Sequence, residues 1–303
     1  MVTMKAVRCL SDRRVAVRSG VHRHRSRRAA GQRPNRTTPT TESRVPGRFL
    51  VLEGPDGIGK TTLAELLATC SYDQVAAAQP NAVHSSTSPI RPHRAQAPAA
   101  SDARQFVFVS RRQISATSAY AATLMQQLAT MLWHSGDAPD LSDAFWVGLQ
   151  ASWFTAHGET VLAPLLDAGH DVIVDGWIYK FCSKLLLQGY TQPILDVIFQ
   201  RIRVPDTVVL LSADPAALYD RGRQFRPAEL GMHAGYGELN RETFVDYQRA
   251  GLEHMRAYAD RYQWPVLALS PTATPAESAA QVRQVITALD DSPPDHPAAQ
   301  TEI

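Results

Sequence analysis

Residues 49–64 read Phe49-Leu-Val-Leu-Glu-Gly-Pro-Asp-Gly-Ile-Gly-Lys-Thr-Thr-Leu-Ala64, and this stretch decides the fold. Gly54, Gly59, Lys60 and Thr61 fit the pattern G-x-x-x-x-G-K-[ST]. The apolar run 49–52 ahead of it reads as a buried strand, and Leu63, Leu66 and Leu67 share one face of the helix that follows. Glycines at these positions let the backbone curl until its N–H groups point inward at phosphate oxygens, and the helix starting near Lys60 adds the positive end of its dipole. Gly54, Pro55, Asp56, Gly57, Ile58, Gly59, Lys60, Thr61 and Thr62 are therefore the candidate nucleotide-binding residues. Lys60 would reach the β- and γ-phosphates, and the Thr61 hydroxyl would hold Mg²⁺.

The 303-residue chain is long enough for one or two domains, and 44% hydrophobic residues is ordinary for a globular protein. It holds no apolar run long enough to suggest a membrane span. Cys9, Cys70 and Cys182 lie far apart, which suits a reducing, cytoplasmic setting and argues against a disulfide or zinc framework. The net charge of +2 hides an asymmetry: residues 1–48 carry 13 Lys and Arg against Asp12 and Glu42, leaving 18 bases and 27 acids for the rest. An acidic body argues against broad nucleic-acid binding by the folded part.

Residues 1–47 read as a disordered basic segment. A basic arm for acidic partners, an organelle transit peptide and upstream sequence wrongly joined to the protein all remain open. Beyond it, short apolar strands alternate with helical patterns. Strands are expected at 49–52, 106–110, 171–174, 207–211 and 266–269. Helices are expected at 60–70, 119–133, 142–168 with a kink near Pro164, 179–188, 193–202, 215–223, 241–262 and 275–289. Residues 74–104, rich in Ala, Pro, Ser and His, read as a flexible insertion, with 82–86 as the alternative second strand; 291–303 read as a frayed tail. Gly231, Gly235 and Gly237 mark a mobile stretch. Five strands separated by helices imply a parallel sheet covered on both faces.

Over about residues 48–290 the chain resembles the thymidylate kinase family of P-loop nucleoside monophosphate kinases. The resemblance rests on Glu53-Gly-Pro-Asp-Gly-Ile-Gly-Lys-Thr-Thr62, on Val109-Ser-Arg-Arg112, on the run 161–175 ending in Asp175, and on Leu210-Leu-Ser-Ala-Asp-Pro215 followed by Arg221. It implies an α/β P-loop kinase fold with a five-stranded parallel sheet and a lid. It also implies ATP and a nucleoside monophosphate as partners, Mg²⁺ as cofactor, and leaves a homodimer open. By this likeness Asp56 contacts the acceptor sugar, Arg111 the acceptor phosphate, and Trp153 and Phe154 the base. The pattern departs at Asp175-Gly176, where the family has Asp-Arg, and at Trp153 and Phe154, where it has an Arg.

Phosphoryl transfer needs in-line positioning and charge neutralisation more than covalent help. Lys60 supplies part of that charge, and Thr61 with Asp175 would suffice for Mg²⁺, which usually takes one or two protein ligands. The loop has no Arg between Gly54 and Lys60, so the catalytic Arg is expected from the lid, where Arg221, Arg223 and Arg226 cluster, with Arg221 foremost. Lys180 and Lys184 share a helix face and read first as a solvated surface, second as substitute phosphate contacts. His157 and His170 read as structural or exposed. The expected activity is transfer of the ATP γ-phosphate to a nucleoside monophosphate, with dTMP leading. A nucleoside or modified nucleotide as acceptor, and a regulatory nucleotide-binding protein without efficient transfer, are the alternatives.

Overall fold

The computed structural model describes residues 45–78, 105–133, 141–221 and 224–290. The expected basic segment up to residue 44, most of the insertion including the alternative strand at 82–86, Arg223 and the tail after 290 lie outside the described residues. Six strands form one sheet: β1 (Phe49–Glu53), β2 (Cys70–Ser71), β3 (Phe106–Val109), β4 (Asp171–Val174), β5 (Thr207–Ser212) and β6 (Val266–Ala268). Their order is β2-β3-β4-β1-β5-β6, and every pairing is parallel.

The strand sequences explain why both faces are covered. In β1, Phe49 and Val51 point to one core while Leu50 and Leu52 point to the other. The same alternation runs through Val107 and Val109 against Phe106 and Phe108, and through Val208 and Leu210 against Val209 and Leu211. On the first face lie α2 (Tyr72–Ala77), α3 (Ala119–Trp133), α4 (Asp143–His157), α5 (Ala163–Asp167), α6 (Ile178–Leu187) and α7 (Gln192–Phe199). On the second lie α1 (Lys60–Leu67), α8 (Pro215–Tyr219) and α10 (Pro275–Asp290). The 22-residue α9 (Arg241–Tyr262) serves both, with Phe244 and Val245 in one core and Leu252, Met255 and Tyr258 in the other. An Asn240–Thr243 capping box starts it: Asn240 Oδ1 accepts the Thr243 N–H at 3.1 Å and the Thr243 hydroxyl accepts the Asn240 N–H at 3.0 Å. Among the described residues no helix is long and apolar enough to cross a membrane.

Three expectations need correction. The sheet has a sixth strand, because the first helix stops at Leu67 and Cys70–Ser71 pairs with Val107 and Phe108 of β3 instead of continuing the helix. The expected insertion begins later than 74, since Ser71 caps α2 and its hydroxyl accepts the Gln74 N–H at 3.3 Å. The expected helix 142–168 breaks into α4, a π turn at Gly158–Leu162, and α5. Pro164 has no N–H to offer the preceding turn, and the Thr160 carbonyl takes the Ser115 hydroxyl at 2.8 Å.

Candidate active site

Three neighbouring strands bring the candidate residues to one edge. β1 ends in Glu53 and passes into the loop Gly54–Gly59; β3 runs into Ser110, Arg111 and Arg112; β4 runs into Asp175 and Gly176. The C-terminal edge of a parallel sheet is where such folds present ligands.

The loop closes around its own lysine. Gly54, Gly57 and Gly59 all have positive φ, and a Cβ on Gly54 would lie 2.6 Å from the Leu211 carbonyl oxygen, so no side chain fits there. Ile58 is buried and anchors the loop in the second core, while Gly59, Thr61 and Thr62 are exposed at its mouth. Lys60 is buried, and its ammonium donates to the carbonyls of Gly54 at 2.7 Å and Pro55 at 2.9 Å. Burial lowers its pKa, a tendency that Asp56 opposes. Thr61 Oγ1 donates to Asp175 Oδ2 at 2.6 Å, and the other Asp175 oxygen accepts the Arg111 N–H at 2.9 Å. Two hard oxygen donors this close, beside a buried cation, suit Mg²⁺ completed by phosphate and water. Among the described residues no group of three or more His, Cys, Asp or Glu gathers to hold a metal, at this site or another.

Gly176 is the junction between the loop and the rest of the site. A Cβ there would lie 3.6 Å from Arg111 Nη1 and 3.8 Å from Lys60 Cε, so the guanidinium and the lysine stem converge on the space that glycine leaves open. Its φ of +133° is one that other residues rarely adopt. Beside it, Glu53 is wholly buried, and its Oε1 accepts the Trp177 N–H at 2.9 Å. Burial pushes this carboxyl up, against the pull of Lys60.

A cavity of about 530 Å³ opens beyond the junction. It is lined by Arg111, Arg112, Lys180, Lys184 and Arg226 and by aromatic rings that include Phe154, Trp146 and Tyr247. That volume is in the range of small-molecule pockets, which combine apolar walls with a few fixed polar groups. Arg112 lies over the Trp133 ring, 5.1 Å from its centroid, and burial together with Arg111 and Arg226 lowers its pKa to about 10. Among the described residues neither the Arg111 nor the Arg112 guanidinium makes an ion pair with a carboxylate.

Of the two aromatic residues expected to meet a base, Phe154 lines the cavity and Trp153 does not. Trp153 has no exposed surface; its indole N–H donates to the Arg111 carbonyl at 3.0 Å. His157, one helical turn on, is also wholly buried, with Nε2 bonded to the Ser110 carbonyl at 3.1 Å. Helix α4 thus pins the backbone that carries the arginine pair. Burial lowers the His157 pKa to about 4, so the ring is neutral.

The solvated reading of Lys180 and Lys184 is overturned. Lys180 is buried and donates to Asp56 Oδ1, while Lys184 donates to Asp56 Oδ2 at 3.3 Å. Burial pushes the Asp56 carboxyl up, but the two lysines hold it well below the usual carboxylate range. Nothing in the sequence signalled this: Lys180, Ser183 and Lys184 share one face of an amphipathic helix, the pattern of a solvated surface, and that face is buried because α9 packs over it, with Gly251 against Ser183. Gln248, which no spacing pointed to, is buried on α9 and also bonds Asp56, accepting its N–H at 2.9 Å and donating to Oδ2 at 3.1 Å.

The expected lid is folded against the loop. Phe225 stacks on Tyr219 and packs on Phe244, and a Cβ on Gly57 would meet the Phe225 ring at 3.3 Å. The glycine-marked stretch forms two single 3₁₀ turns, Pro227–Glu229 and Met232–Ala234. Arg221 is exposed at the end of α8 and does not line the cavity, whereas Arg226 does. The Arg226 N–H donates to Glu229 Oε2 at 2.9 Å, and its guanidinium lies 3.6 Å from Glu229 Oε1. No protein-family model and no curated protein matches this chain.

Proposed function

We propose that this protein is a nucleotide kinase that transfers the γ-phosphate of ATP to a nucleoside monophosphate, with dTMP the first acceptor to test. The observation that carries the reading is the convergence at Gly176. The stem of the loop lysine and the guanidinium of the arginine that follows β3 both come close to one point, with Lys60 Cε 3.8 Å and Arg111 Nη1 3.6 Å from the place of an added Cβ. A donor phosphate chain cradled by the loop and an acceptor phosphate held by Arg111 would meet there, in the arrangement that phosphoryl transfer requires.

In this reading the backbone of Gly54–Gly59 and Lys60 receive the donor phosphates, and Thr61 and Asp175 would hold Mg²⁺. The ion would supply charge neutralisation on the donor phosphates when bound. Asp56 would receive a sugar hydroxyl, and Phe154 with the other cavity rings would flank the base. Arg226 takes the place expected of Arg221 as the lid cation beside the transferring group.

The three guanidiniums of Arg111, Arg112 and Arg226 favour an acceptor that carries a phosphate over a free nucleoside, since none of the three is needed to bind a neutral sugar and base. A coupled assay of ATP consumption across nucleosides and nucleoside monophosphates tests the reading. Turnover with a monophosphate and none with nucleosides is expected. ATP binding without transfer to any acceptor would instead mark a nucleotide-binding module.

A further inference from the structure

The Gln248 side chain makes three hydrogen bonds inside the protein, and they run to two different functional segments. Its amide oxygen accepts the Asp56 N–H at 2.9 Å, and its amide nitrogen donates to Asp56 Oδ2 at 3.1 Å and to the Glu229 carbonyl at 2.8 Å. Lys184 makes a parallel bridge, donating to Asp56 Oδ2 at 3.3 Å and to the Ala228 carbonyl at 3.3 Å. The loop carboxylate and the 226–230 turn are therefore held by the same two donors. The chain continues to the lid arginine, because the Glu229 carboxylate holds both the backbone N–H and the guanidinium of Arg226.

We propose that Gln248 is a positioning residue that couples acceptor binding at Asp56 to the placement of Arg226, an inference that rests on the kinase reading of the site. The physical argument is competition for one oxygen. Asp56 Oδ2 takes hydrogen bonds from both Gln248 and Lys184. A ligand hydroxyl that donates to this carboxylate displaces part of that share, and both donors then commit to the carbonyls of residues 228 and 229. The turn tightens beyond the hold it already has, and Arg226 is steadied further over the cavity when an acceptor is present. The cluster lies where burial makes each such exchange count, since Gln248, Asp56 and Lys180 are all nearly inaccessible to water. Its effect on the reaction passes through Arg226, so Gln248 contacts no reacting atom.

The test compares wild type with Gln248→Met, a swap of similar length that removes all three bonds, and with Lys184→Met, which removes the second bridge. Hydrogen exchange over 224–237 is followed with dTMP, dCMP, dGMP or AMP and without ATP, so that no turnover is needed. Wild type should show slowed exchange with the monophosphate it binds, and Gln248→Met should lose most of that response at saturating ligand. Its kcat should fall about tenfold while the KM for ATP stays within twofold. Gln248→Met combined with Arg226→Ala should be no more than twofold slower than Arg226→Ala alone, because both act through the same group.

Independent, multiplying losses in the double variant, or an undiminished exchange response in Gln248→Met, overturn the coupling and leave the kinase reading standing. A slowed exchange that depends on Gln248, in a wild-type protein that transfers no phosphate, overturns the kinase reading and leaves the coupling standing. No binding of any of the four monophosphates overturns both. If Gln248→Met does not fold, Lys184→Met carries the same comparison.

Discussion

Arg111 and Asp175 lie 64 residues apart in sequence, and the Arg111 N–H donates to the Asp175 carboxylate at 2.9 Å. The ends of β3 and β4 are thereby locked together, and the second oxygen of the same carboxylate takes the Thr61 hydroxyl at 2.6 Å. Asp175 joins the start of α1 to the arginine that follows β3. Asp175→Asn keeps an oxygen for the Arg111 N–H but loses the charge. The Mg²⁺ concentration needed for half-maximal rate should rise about tenfold or more, with little change in melting temperature. An unchanged Mg²⁺ requirement would remove Asp175 from the metal site.

Lys60→Ala removes the ammonium that the loop wraps. Transfer should drop about 10²- to 10³-fold, the range for losing one preorganised electrostatic donor. The circular dichroism spectrum should remain that of the wild type, since the strand and helix on either side are held by their own cores. A folded variant with near wild-type turnover would show that the phosphates bind elsewhere.

Arg111→Ala should weaken the acceptor far more than ATP. One charge-assisted contact is worth about 1.5–3 kcal/mol, so the acceptor KM should rise about 10- to 150-fold while the KM for ATP barely moves. Equal weakening of both substrates would mean that Arg111 serves the donor.

Arg226 and Arg221 give opposite expectations. Arg226 lines the cavity and Arg221 stands exposed outside it. Arg226→Ala should lower kcat by about 10³-fold, toward the low end for arginine fingers because Arg112 lies nearby, with modest change in ATP affinity. Arg221→Ala should stay within a few-fold of wild type. The reverse ranking, read from kcat of the two variants side by side, would return the lid role to Arg221.

His157 makes stability depend on pH. Its pKa falls from the ordinary 6.5 to about 4 in the folded protein because the ring is wholly buried. Between these values the unfolded chain binds the extra proton and the folded one does not, so stability is complete above about pH 6.5 and declines as pH falls toward 4. The loss amounts to about 3 kcal/mol. Urea unfolding of wild type at pH 7.5 and 4.5 should show most of it. His157→Gln, which can still donate to the Ser110 carbonyl, should lose less between the same two pH values. Identical losses in the two proteins would mean that another group carries the acid sensitivity.

The sheet was largely legible because its signals are local. The strand at 171–174 and the helices at 119–133 and 241–262 have the expected bounds, since each is announced by an apolar period or by its flanking residues within a few positions. The two-residue β2 was not legible, because Cys70 and Ser71 are strand only through their pairing with β3. Trp153 shows the same limit from another side. An aromatic residue on a helix next to a cavity can stack on a ligand or fill the core, and only the position of the Arg111 carbonyl decided that its indole N–H faces inward.

What the sequence determined by itself is the strand, glycine-rich loop and helix start within residues 49–64, the parallel arrangement of strands between helices, and Asp175 at the end of one of them. Backbone preferences and apolar periodicity act over a handful of residues, and these features need nothing more. Tertiary structure alone decided the partners of Asp56. Gln248 lies 192 residues beyond it, and Lys180 lies 124 residues beyond it. No spacing rule spans such a distance. The sheet order and the packing of α6 and α9 bring these side chains around one buried carboxylate, where an unpartnered charge would be too costly to leave.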